Sequence, residues 1–229
     1  VRPSGFPERF DRLPQPSTVG VAVVGSGIIA ITYGLARFVF GLFLPEIRDD
    51  LGLGATGAGI IGALPFISFI GAILIGPAVC RRLGPRQAGV LAAGLAAAGL
   101  SAIAGAPGVI VLGVGVAVCG ISTGLSSPVM AEAVHRAVPS AVRGRVNAIH
   151  NAGTSIGIIV AVPTVVLLTD AWRLTYLFFA ALAGIGLVLT WWLLPSVSRI
   201  TPSNAAPPAR ITPTQWARLL RLSVFAFLM

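Results

Sequence analysis

The chain contains no lysine: all sixteen of its basic residues are arginine. Acidic residues number only seven, and charged side chains make up 10% of the 229 residues. Soluble domains carry about a quarter of their residues as charges, so this scarcity excludes a solvated globular surface. Cysteine is also rare. Cys80 and Cys119 fall inside or at the end of apolar stretches, support no inference of a disulfide and show no metal-ligand spacing, so no metal or cofactor is expected. No small-residue cleavage pattern follows the first apolar stretch, which is too long for a signal-peptide core and is expected to be retained.

What fills the sequence instead is apolar. Hydrophobic residues make up 55%, and the mean hydropathy is +0.92. A bilayer core of roughly 30 Å needs about 20 apolar helical residues to cross it. Six stretches pass that test, at residues 19–44, 56–80, 88–106, 109–131, 146–169 and 174–194. The fold expected is therefore an all-α membrane protein, a bundle of six transmembrane helices.

The arginines orient that bundle. Thirteen fall on one side of the alternating loops: Arg2, Arg9, Arg12, Arg81, Arg82, Arg86, Arg136, Arg143, Arg145, Arg199, Arg210, Arg218 and Arg221. Arg48 and Arg173 fall on the other, and Arg37 lies inside the first span. Such a bias is the positive-inside signature, so both ends of the bundle are expected in the cytoplasm. It also accounts for the sequence pI of about 11.5 without a nucleic-acid partner. Arginine without lysine, beside heavy alanine and glycine use, is the composition of a GC-rich bacterial gene, and the location expected is a bacterial inner membrane.

The loops are short, which makes neighbouring helices antiparallel. Residues 1–18 read as a cytoplasmic tail and 195–221 as a cytoplasmic linker broken by Pro195, Pro202, Pro207, Pro208 and Pro213. Residues 222–229 are apolar again and read as the start of a seventh, truncated helix. Glycine pairs at Gly59/Gly62, Gly120/Gly124 and Gly153/Gly157 are expected to bring helices close, because apolar burial does not drive association in lipid. Pro65, Pro128 and Pro163 are candidate kinks. Trp172, Trp191 and Trp192 are candidate interfacial anchors.

This layout resembles the N-terminal half of a major facilitator superfamily transporter, and short motifs carry the resemblance further. Arg81-Arg82-Leu83-Gly84-Pro85-Arg86 is similar to that family's cytoplasmic signature, with Arg81 where an acid is usual. Val138-Pro139-Ser140-Ala141-Val142-Arg143-Gly144-Arg145 resembles its Arg-Gly-Arg turn, and Trp172-Arg173-Leu174-Thr175-Tyr176-Leu177-Phe178 its sixth-helix start. Span four has Val116 where many members place arginine, and span five lacks the full antiporter motif. The resemblance implies secondary transport of a small solute by alternating access. It implies a gating role for Arg82, Gly84, Arg86, Arg143, Gly144 and Arg145, and a missing C-terminal half as partner.

Arg37 is the leading candidate for a site. An arginine at membrane depth costs about 2.5–3.5 kcal/mol on insertion scales and needs a cavity or a partner. No acidic residue lies near it in sequence. Helical spacing places Ser26, Tyr33, Arg37, Phe40 and Leu44 on one stripe. One reading makes this a substrate site, with Arg37 binding the acidic group of an organic anion, Tyr33 donating a hydrogen bond and Phe40 packing beside it. The other makes Arg37 structural, snorkelling outward or paired with the other half.

Glu132 is open to a proton-relay reading and to an i, i+4 ion pair with Arg136. His150 and Asn151 are candidates for the inner mouth of a cavity. Other readings stay open: a six-span protein that associates with a second copy of itself, a non-functional transporter fragment, and a Ser122/His150 intramembrane protease. The lipid bilayer and a small-molecule substrate are the remaining partners expected.

Overall fold

The computed structural model describes residues 18–168 and 171–194. The expected tail, linker and truncated seventh helix fall outside the described residues, apart from Thr18. Every regular element described is helical: α1 (Thr18–Leu42), α2 (Leu44–Leu51), α3 (Ala55–Ala104), α4 (Val109–Ala137), α5 (Arg143–Leu167) and α6 (Trp172–Leu193). All but α2 are long and apolar enough to cross a membrane.

α3 runs for 50 residues, which as a straight helix would extend about 75 Å, more than twice the hydrocarbon core. It does not run straight. Gly84 has φ 79° and ψ 163°, a backbone conformation inside α3 that belongs to no helix. The expected loop over residues 81–87 is thus replaced by helix on both sides of one residue, and the two arms are 55–83 and 85–104.

Packing partners show how the arms run. Backbone and side chains of Pro65, Ala72 and Ile73 in the first arm crowd Gly120 and Gly124 of α4 in ascending order, so those two segments are parallel. In the second arm Gly89 faces Val129 of α4 and Gly99 faces Gly115 and Cys119, an antiparallel order. The arms therefore oppose one another. By the same reasoning α1 and α5 run together, since Gly25 meets His150, Ser26 meets Gly153 and Gly34 meets Gly157. A Cβ at Gly157 would lie 2.7 Å from the Gly34 Cα, so this crossing requires glycine. Gly59 and Gly62 differ from expectation: a Cβ at either meets open space, so they pack no helix among the described residues.

The bundle has two ends. At the proximal end, where α1 begins and α6 finishes, Val21, Ala22, Val134, Val138 and Val146 form an apolar cluster. At the distal end a larger cluster holds Phe43, Ile47, Leu53, Leu112, Trp172 and Tyr176. Arg173 fastens this end by donating to the carbonyl of Ala106 at 2.7 Å and pairing with Asp50 at 2.9 Å. These contacts draw the start of α6 inward. Trp172 is consequently 4% exposed and stacks edge-on against Tyr176, so it is a core residue rather than an interfacial anchor. Trp191 and Trp192 remain exposed at the other end of α6.

Candidate functional site

Arg37 lies on a part of α1 that is not an α-helix. Residues Ala30–Phe38 form a π-helix, in which hydrogen bonds reach one residue further along the chain. Its backbone is supported from α4: the Thr123 hydroxyl donates to the Thr32 carbonyl at 2.8 Å. A neighbouring hydroxyl satisfying a displaced carbonyl is how irregular helix survives at membrane depth. On the opposite side Gly34 allows α5 to close against the same segment.

This geometry breaks the 3.6-residue stripe read from the sequence. Tyr33 and Arg37 stay together, with the guanidinium carbon 5.8 Å from the tyrosine ring centre. Phe40 does not join them. It is 5% exposed and packs in the distal apolar cluster. Ser26 is buried beside Gly153 of α5, and its hydroxyl has no hydrogen-bond partner among the described residues.

The two rings closest to the Arg37 guanidinium come from α3. Phe69 lies 4.6 Å and Phe66 4.8 Å from the guanidinium carbon, and Phe38 completes the set at 5.8 Å. Tyr33 stands edge-on to Phe69 and shares a 2.6 Å hydrogen bond with Ser127 of α4. Each cation–π contact contributes about 0.5–2 kcal/mol, enough together to offset much of the insertion penalty. None of them neutralises the charge. The Nε of Arg37 is buried without an acceptor, and no acidic group pairs with this arginine among the described residues. The site is a half-buried cation held by aromatic faces, with its terminal nitrogens bonded to no described residue. Phe66 and Phe69, i and i+3 on the neighbouring span, carried no sequence signal linking them to Arg37.

The proximal residues separate into those bonded to other described residues and those that are exposed. Glu132 and Arg136 form the i, i+4 ion pair. Arg143 donates from Nε to the Val138 carbonyl at 2.9 Å and from a terminal nitrogen to the His135 carbonyl at 2.8 Å, closing the end of α4. Gly144 and Arg145 are exposed, as is Arg82. Arg86 stacks on Trp191, 4.5 Å from its ring centre, and Gly84 makes the reversal between the arms.

His150 is buried between α1 and α5, with Nε2 3.0 Å from the Val21 carbonyl. It belongs to the level of Gly25, whereas Ser122 adjoins Thr123 at the level of Thr32. Seven residues of helix separate those levels by about 10 Å. The Ser122/His150 dyad is therefore not assembled, and that reading is corrected.

The family model described as Major Facilitator Superfamily matches residues 27–229. Comparison with curated proteins finds no match.

Proposed function

The chain belongs to the major facilitator superfamily, and from that premise we propose that it carries a small organic anion across a bacterial inner membrane by alternating access. As a member it is an integral, multi-pass membrane transporter. The reading adds a topology of six crossings, with both ends of the bundle in the cytoplasm. In support of six, the two opposed arms of α3 each have the length of a span. In support of the orientation, Arg81, Arg82, Arg86, Arg136, Arg143 and Arg145 gather at the proximal end, against Arg48 and Arg173 at the distal end.

The observation that carries the substrate class is the state of Arg37. A cation at membrane depth, enclosed by four rings and lacking an acidic partner among the described residues, is complementary to an anion that brings its own apolar body. Tyr33 is placed beside it to take part in the hydrogen bonding. The first arm of α3 and α5 expose Ile67, Ile70, Leu74, Ile156, Ile159 and Val166, a surface suited to a second helical bundle across which the site would alternate. That bundle is supplied by further sequence or by a second copy of the chain. The arginines and Gly84 of the inner loops act in this reading as the gate between the two states.

The deciding experiment is counterflow of carboxylates into liposomes containing the full-length protein. Arg37→Ala is expected to abolish it, and Arg37→Lys to retain part, since lysine keeps the charge but not the planar fork. Unchanged substrate affinity in Arg37→Ala overturns the assignment.

A further inference from the structure

We propose that the proximal rim between the second arm of α3 and α6 binds the phosphate of an anionic phospholipid, with Arg86 as its main ligand. The half-buried guanidinium of Arg86 lies 4.5 Å from the Trp191 ring centre, and its Nε is enclosed without an acceptor. Its terminal nitrogens make no hydrogen bond to any described residue. Arg81 and Arg82 stand on the same reversal, both exposed and both unpaired among the described residues.

This charge lacks a described protein partner. Glu46, Asp49 and Asp50 lie on α2 at the distal end, and Glu132 is taken by Arg136. Three arginines within six residues are thus left at the proximal end without a counter-charge on the described part of that end. A zwitterionic headgroup would bring an ammonium, and the one carboxylate among the described residues of this end, Glu132, is already paired with Arg136.

The surface below the arginines identifies the ligand as a lipid rather than a free ion. Gly94 lies under Leu187 and Gly89 under Thr190, so the two helices sit close along this seam. Along it Leu91 and Val188 are exposed, and Trp191 and Trp192 stand exposed at its head. Paired tryptophans mark the level at which headgroup and acyl chain meet. Phosphate at Arg86 places the first methylenes of the chain on Trp191 and Val188. Basic pockets of this kind, between spans at a membrane edge, recognise lipid headgroups by charge.

The test is native mass spectrometry of the detergent-purified full-length protein with phosphatidylglycerol or phosphatidylcholine added. Retention of phosphatidylglycerol over phosphatidylcholine is expected, with a loss of roughly fivefold for each arginine removed in R86Q and in R81Q/R82Q/R86Q. Arg48→Gln at the distal end is expected to change nothing. Trp191→Leu keeps every charge and is expected to weaken retention, because the stacked position of Arg86 is lost. On the unmutated protein, rising ammonium acetate should release phosphatidylglycerol, a result independent of any variant's folding. Equal retention of the two lipids, unchanged retention in the triple variant, or displacement by inorganic phosphate alone overturns the proposal.

Discussion

The guanidinium of Arg37 on α1 faces the ring of Phe69 on α3 at 4.6 Å, so the charge buried in the first span is held by the second. Removing the ring while keeping apolar bulk isolates that contribution. Phe69→Leu is expected to lower the stability of the full-length protein by about 0.5–2 kcal/mol, read as a shift in thermal unfolding in detergent. The same substitution in an Arg37→Met background should be smaller in effect, because the cation it served is gone. Equal losses in the two backgrounds would mean that Phe69 contributes packing alone.

Gly84 and Gly144 carry opposite expectations for one substitution. At Gly84 the dihedrals of 79° and 163° lie in a region essentially closed to other residues. Gly84→Ala should destabilise by about 1–3 kcal/mol. Gly144 sits in the first turn of α5, where a Cβ meets nothing within 4 Å. Gly144→Ala should stabilise by about 0.4–1 kcal/mol, through a smaller loss of backbone entropy on folding. Melting curves of the two variants moving in the same direction would contradict the geometry.

Much of the frame was legible because lipid imposes it. Apolar length located the long helices, and the arginine pattern matches the separation of proximal from distal ends. The Glu132–Arg136 pair was legible because i, i+4 neighbours meet on any helix. What the sequence did not carry was set by contacts between elements. The π-helical turn of α1 depends on Thr123 of α4 and Gly157 of α5, so a stripe drawn at 3.6 residues put Phe40 where Phe66 and Phe69 stand. Trp172 looked like an anchor until Arg173, tied to Ala106 and Asp50, drew it into the core.

The two arginines of the Arg-Gly-Arg turn should behave differently. Arg143 satisfies the Val138 and His135 carbonyls at the end of α4, whereas Arg145 is exposed and bonds to no described residue. Hydrogen bonds from a charged donor contribute about 1.5–3 kcal/mol. Arg143→Gln should therefore destabilise by about that amount, while Arg145→Gln should leave the stability read from thermal unfolding within about 0.5 kcal/mol of unchanged. Equivalent effects would show that the α4–α5 connection is not closed by Arg143.

The tightest cross-helix fit at the proximal end is between Gly25 and His150. A side chain at Gly25 would fall within the imidazole, so the ring reaches the Val21 carbonyl only because position 25 has no Cβ. Gly25→Ala must push the ring away or separate α1 from α5, and overpacking of this kind costs about 1–3 kcal/mol. The double variant Gly25→Ala/His150→Ala removes the collision and leaves a smaller loss from the missing hydrogen bond. Monodispersity by size exclusion is expected to fall in the single variant and recover in the double. If the double variant is the worse of the two, His150 fastens α1 to α5 through its hydrogen bond more than through fit, and the space at Gly25 is incidental.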